Sequence, residues 1–152
     1  MPHGAGTDVS SLLTIVVTSS PVPSNPDTST IRAVFRSFAL VPSLVSCPKI
    51  IHLDGPQKSL PQARIRSYGE FARRVRALSR QEALFANTRV YASNTFLFAA
   101  HNLAAAISHV NTTFLLSCQH DYQLARPFDV SGLLKTMVVV PIVRHVLSLI
   151  HI

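Results

Sequence analysis

The sequence predicts an α/β domain of three layers, with helices on both faces of a mostly parallel sheet. Four short apolar runs rich in β-branched residues (LLTIVVT, KIIHL, TRVYA and FLLSC) alternate with segments whose apolar residues recur at helical spacing. The segments between the runs are long enough for helical crossovers, which adjacent parallel strands require. A third observation sets the scale. At 152 residues and 47% hydrophobic content, the chain can bury one core and has little room for two.

Taken in order, residues 1–11 (MPHGAGTDVSS) show no apolar period and are expected to be flexible. Residues 12–18 form the first strand, closed by SSPVPSNPDTST, in which three prolines forbid continued pairing. Ile31, Val34, Phe35, Phe38 and Ala39 recur at i, i+3, i+4, i+7 and i+8, the inward stripe of a helix with Arg32 and Arg36 on its other side. Residues 49–53 form a second strand ending at the turn pair Asp54-Gly55. Residues 56–66 are polar and proline-bearing, and read as a connection.

Ser67-Tyr68-Gly69-Glu70 then reads as a capping box, Ser67 at N-cap and Glu70 at N3. It opens a second helix whose inward stripe is Tyr68, Phe71, Ala72, Val75 and Leu78. Residues 88–92 alternate like a third strand. The alanine-rich residues 97–110 form a third helix with Leu103, Ile107 and Val110 inward, and residues 114–118 form a fourth, buried strand. Asp129 or Ser131 caps a short last helix, and residues 141–152 read as a tail foreign to the domain. There is no internal repeat and no low-complexity tract.

Composition narrows the function. Fourteen Lys+Arg against seven Asp+Glu leave a net charge of +7, which favours anionic partners. Charged residues make up only 14%, against about 25% in an average domain, which excludes charge-rich coiled coils and tails. Cys47 and Cys118 make no disulfide framework and no zinc spacing, so a reducing compartment is the default. The apolar runs fall far short of the roughly 18–20 residues of a membrane span, and the N-terminus lacks the basic region of a signal peptide. The expectation is a soluble, cytoplasmic chain.

In parallel sheets, ligands bind beyond the carboxyl ends of the strands, where helix N-termini and free loop amides converge. Three polar groups stand there: Ser19, Ser20 and Pro21 after the first strand, Asp54 after the second, and Gln119, His120 and Asp121 after the fourth. A carboxylate at such an end either caps the next turn or meets a ligand. For Asp54 the two readings stand side by side, and for Asp121 the ligand reading is preferred. GxGxxG and GxxxxGK[ST] are both absent, which argues against a dehydrogenase or P-loop NTPase.

The runs TIVVTSSPVPSNPDTSTI, KIIHLDG and FLLSCQHDY, in this order, resemble the N-terminal half of a GT-A fold glycosyltransferase of the family 2-like group, over about residues 11–140. The resemblance implies a Rossmann-like, donor-binding domain spanning 1–152 and truncated before its acceptor half. It implies a nucleotide-diphosphate sugar as ligand, a UDP-sugar for preference, and an acceptor the sequence leaves unnamed. Asp54 would face the nucleoside, and Asp121 would hold Mn²⁺ or Mg²⁺ at the second acidic position of the Asp-x-Asp motif. Gln119 stands at the first of those positions, and a neutral amide ligates a cation poorly, which counts against metal dependence. No Asp or Glu follows Asp129, so the family's catalytic base has no counterpart, and an inactive fragment is expected.

The alternative is a non-enzymatic binder of anions or nucleic acid. Arg64, Arg66, Arg73, Arg74, Arg76 and Arg80 crowd one predicted helix, with Arg73, Arg76 and Arg80 away from the apolar stripe. A solvated outer face is the simpler reading, and nucleic acid is not the expected partner because the helix's aromatics, Tyr68 and Phe71, lie inward. Cys118 reads as a buried, inert thiol rather than a nucleophile.

Overall fold

The four apolar runs become one sheet in a computed structural model that describes residues 8–140: β1 (Leu13–Ser19), β2 (Lys49–Leu53), β3 (Thr88–Ala92) and β4 (Phe114–Gln119). Its order is β3-β2-β1-β4, and every pairing is parallel. The helices α2 (Ser29–Ser37) and α4 (Gln62–Gln81) make the first two crossovers, and α5 (Phe98–Ile107) makes the third. The third crossover steps back across the sheet. Because such crossovers are right-handed, α5 lies on the face opposite α2 and α4.

The period-2 alternation of the strands feeds two unequal cores. Leu13, Ile15, Val17, Ile51 and Leu53 pack with Ile31, Val34 and Phe35 of α2 and with Tyr68, Phe71 and Val75 of α4. Phe85, in the turn after α4, stacks on Phe35 with ring centroids 4.3 Å apart. On the other face, Val16 and Ile50 meet Ala106 of α5, with Tyr91, Leu103 and Val110 partly buried around them. The helix stripes of α2 and α4 are thus buried as expected, except that Ala39 is exposed where α2 tightens into a 3-10 turn (Phe38–Leu40). A bidentate pair from Arg32 to Glu82, at 2.5 and 2.6 Å, ties α2 to the end of α4.

Several sequence expectations are corrected. Residues 9–12 form one helical turn, α1 (Val9–Leu12), because the Asp8 carboxylate accepts from Ser10 N at 3.0 Å. A further turn, α3 (Pro42–Val45), precedes β2. The remaining residues of the expected flexible segment, 1–7, and the tail 141–152 lie outside the described residues.

Helix α4 begins at Gln62, directly after Pro61, so part of the expected connection is helical and Ser67 is not a cap. Pro61 removes a donor that a helix start leaves unused, and QARIR holds no breaker. Glu70 turns instead to Arg73 and Arg74, each at 2.7 Å. In α5 the inward residues are Asn102 and Ala106, while Ile107 is exposed, at 43%. Asn102 sets the rotation by bonding strand carbonyls, and Ile107 sits about 140° further round the helix.

Strand β4 was expected to be buried on both faces and is not. It occupies the sheet edge, with Phe114, Leu116 and Cys118 packed on the larger core, while Leu115, Ser117 and Gln119 are exposed. Helix α5 packs on β1 and β2 and leaves that face of β4 open. The last helix, α6 (Val130–Val139), is capped by Asp129, whose carboxylate accepts from Gly132 N at 2.9 Å. It returns Val130 and Leu134 to the larger core.

The inequality of the two faces is measurable. Ile51→Ala, at a position with no exposure, should cost about 2–5 kcal/mol. Leu115→Ala, one strand from the centre on the open face, should stay within about 0.5 kcal/mol. Urea unfolding of both variants checks this, and equal losses would mean that the open face is covered.

Candidate functional site

Chain direction across the sheet reverses between β1 and β4: β2 and β3 follow β1 on one side, and β4 returns to the other. At such a reversal the loops after the two strands part, leaving a crevice at the carboxyl edge. The structure brings all seven sequence-predicted site residues to this edge, on three adjacent strand ends. Thr18 pairs with Gln119. His120 N donates to Thr18 O at 3.0 Å, and Asp54 N donates to Ser19 O at 2.8 Å.

At the end of β1, Ser19 is 2% exposed, and its Oγ is the one buried side-chain polar atom without a hydrogen-bond partner among the described residues. An unpartnered buried hydroxyl costs roughly 1–3 kcal/mol, and Ser19 carries that cost at the switch point. Ser20 and Pro21 follow, half-buried. At the end of β4, Gln119 and Asp121 are exposed and His120 is buried. Burial holds the His120 imidazole below the usual histidine range, opposed by the Asp121 carboxylate and the Thr18 carbonyl. Burial also pushes the Cys118 thiol up to about 12, so it is no nucleophile at neutral pH.

The seven carboxylates of the chain all lie within the described residues, and six are engaged. Asp8, Asp27 and Asp129 accept from backbone amides at helix starts. Glu70 and Glu82 hold arginines, and Asp54 is tied to its own loops. Asp121 alone makes no hydrogen bond or ion pair among the described residues. In a chain this short of carboxylates, one left unengaged at the sheet's switch point is available to a ligand.

Asp54 works from beneath the site. It is 2% exposed, and its Oδ1 accepts from Gly55 N at 2.8 Å and from Leu97 N at 2.7 Å. Its carbonyl accepts from the Tyr68 hydroxyl at 2.7 Å. Burial, with the Asp54 carboxylate nearby, raises the tyrosine's pKa above its ordinary value. A Cβ on Gly55 would stand 2.3 Å from the Thr95 backbone, so only glycine lets the two loops touch. Asn102 of α5 adds bonds from Nδ2 to Ser19 O and His52 O at 3.4 and 3.5 Å, and its Oδ1 meets His52 Nδ1 at 2.6 Å.

Beside the locked loops lies an open depression of about 400 Å³ lined by Lys58, Asn94, Phe96 and Phe98 among others. Phe98 is 64% exposed and sits at φ +62°, a left-handed conformation that a bulky residue adopts at a cost. Sequence reasoning missed these residues, and Asn102 with them. A signal existed for Asn102 alone, the single amide on a helix otherwise apolar but for His101. A larger cavity of about 500 Å³, which includes Thr14, Lys49 and Arg89, lies at the amino ends of the strands, the edge that parallel sheets seldom use for ligands.

The donor set decides how a metal could be held. Among the described residues no three His, Cys, Asp or Glu side chains form a metal cluster. Asp121 with a neighbouring amide does not make a resident site. It fits only a cation carried in by a diphosphate, since Mg²⁺ in such complexes takes one or two protein carboxylates.

No protein-family model and no curated protein matches the sequence. In structure the chain is similar to S. aureus TarS, a glycosyltransferase, with a TM-score of 0.56 at 11% identity. The match covers 84% of this chain and 20% of that one, so this chain spans about a fifth of the other's length. The likeness shows the fold, a parallel α/β sheet with helices on both faces, shared with part of that protein. Among the described residues, no helix is long and apolar enough to cross a membrane.

Two measurements test the site's construction. Gly55→Ala forces apart the loops that Asp54 locks and should cost about 1–3 kcal/mol. Gly69→Ala, on α4 with nothing within 4 Å of the new Cβ, should gain about 0.5–1 kcal/mol. The second concerns pH. Because His120 titrates below the ordinary 6.5 when folded, the unfolded chain takes up a proton first as pH falls. Stability therefore drops through that region and is insensitive to His120 above it. Urea midpoints at about pH 7.5 and about pH 5.5 should differ less in His120→Gln than in the parent.

Proposed function

We propose that the carboxyl edge of this sheet binds a nucleotide-diphosphate sugar, a UDP-sugar for preference, as the donor-binding part of a glycosyltransferase. The observation that carries the reading is the buried, unpartnered Ser19 hydroxyl at the switch point, flanked by the unengaged Asp121. The glycosyltransferase-like fold supports it.

In this reading the Ser19 hydroxyl and the Gln119 amide donate to donor oxygens, and Ser20 and Pro21 shape the wall beside them. The nucleoside lies toward Asp54 and the cavity of Phe96 and Phe98, where an aromatic pair with centroids 4.3 Å apart offers a face to the base. His120, held neutral by burial, adds no charge to the floor. A divalent cation bound with the donor would be met by Asp121 and would offset the diphosphate's charge. Donors aimed at a leaving diphosphate stabilise the charge that develops when an acceptor hydroxyl attacks the anomeric carbon. No Asp or Glu follows Asp129, so the reading assigns donor binding to this chain and assigns it no turnover.

Calorimetric titration of UDP, with and without Mn²⁺, tests the proposal. Binding should appear, strengthened by Mn²⁺, and Asp121→Asn should abolish the strengthening. Ser19→Ala should weaken binding about 3- to 10-fold, the worth of one hydrogen bond, without lowering the melting temperature. An absence of heat under both conditions overturns the reading.

A further inference from the structure

Helix α4 carries six arginines and one glutamate. Their positions on the folded helix divide them. Arg73 and Arg74 share Glu70, and Arg74 also donates to Pro26 O at 3.3 Å. That sharing holds Glu70 down to about 2, so the carboxylate stays charged at any ordinary pH. Arg64, Arg66, Arg76 and Arg80 make no ion pair among the described residues and are exposed.

Arg66, Arg73, Arg76 and Arg80 stand at i, i+7, i+10 and i+14. They form one stripe about 21 Å long, diametrically opposite the buried stripe of Tyr68, Phe71, Val75 and Leu78. No large apolar side chain of α4 is exposed. The stripe therefore has nothing to insert into a lipid interface and no ring on which to stack a base. What it offers is a narrow row in which Arg66, Arg76 and Arg80 present guanidinium forks that match phosphate oxygens in pairs, while the Arg73 fork is held by Glu70.

We propose that this stripe is a second binding surface, separate from the strand-end site, for a linear polymer of closely spaced phosphates, gripped through its backbone without reading of bases or sugars. At about 3.4 Å per phosphate along one strand, a 21 Å row runs beside about six of them. A narrow row suits a strand and not a membrane plane, where basic groups act as a broad patch.

Fluorescence anisotropy of the full chain with labelled oligo(U) and, by competition, inorganic polyphosphate is the test. Both should bind, and the logarithm of affinity should fall against that of salt with a slope of about −2, from about 0.7 for each phosphate neutralised by Arg66, Arg76 and Arg80. Between about 50 and about 200 mM salt that is a loss of about 20-fold. The triple variant Arg66→Gln, Arg76→Gln, Arg80→Gln should flatten the slope to near zero. A charge-matched control, Arg36→Gln, Arg89→Gln, Arg126→Gln, changes exposed arginines elsewhere and should keep the parent's slope. A triple variant equal to the parent, a control that loses as much, binding of oligo(U) without polyphosphate, or adsorption to phosphatidylserine vesicles with neither polymer bound would each overturn the proposal. UDP binding is read separately and is untouched by any of these outcomes.

Discussion

One constraint organises this molecule: parallel strands must be joined by crossovers, and the crossovers are right-handed. Two successive steps to one side of β1 put α2 and α4 on the same face and concentrate Phe35, Phe38, Phe71 and Phe85 there. The reversed third step sends α5 alone to the opposite face, where Val16, Ile50 and Ala106 are the only fully buried apolar residues of their cluster. The same reversal leaves β4 at an edge with Leu115 and Gln119 uncovered and gathers the ends of β1, β2 and β4 at one edge. Core asymmetry, edge exposure and site position are three consequences of one topological step.

A crevice does not hold its own loops in place, and here the burial of polar groups does so. Asp54, His52 and Asn102 are each buried among strand ends and satisfied mostly by backbone partners. Removing such groups from water is costly unless their hydrogen bonds are made, so the network tolerates few alternative loop positions. Rigidity at the floor is what lets Phe98 remain exposed and backbone-strained above it. Ser19 is the exception in the network. Its carbonyl is engaged twice while its hydroxyl is left without a partner.

Strands were legible because short β-branched runs bounded by turn-forming residues have few other uses: β2 and β3 begin and end at the residues their patterns suggest. Helix boundaries were less so. Ser67 and Glu70 have the spacing of a capping box, yet Glu70 finds stronger partners in Arg73 and Arg74 one turn on, and Pro61 starts the helix earlier. Of the three residues expected inward, Leu103 and Val110 pack on the smaller core, while Ile107 is exposed because the amide of Asn102 decides the rotation of α5. For the site, strand-end positions were legible, since topology alone sends them to one edge. The cavity of Lys58, Phe96 and Phe98 was not, because loop contacts such as Gly55 against Thr95 have no period in sequence.

The net charge of +7 also takes a different meaning once the partners are known. Six of seven carboxylates are spent on caps, loop locks and ion pairs, and Arg73 is the one member of the arginine row on α4 that such a pair neutralises. That row is not remote from the strand-end site. Helix α4 follows β2 and starts from the carboxyl edge, close to Asp54 through Tyr68, then runs toward the amino edge. A phosphate polymer lying on Arg66, Arg76 and Arg80 would therefore have one end near the strand ends. The two surfaces are chemically distinct, one a set of strand-end polar groups with one unengaged carboxylate, the other an open line of cations. Salt separates them: the open line weakens steeply as ions compete for it, whereas hydrogen bonds made inside the crevice are screened far less.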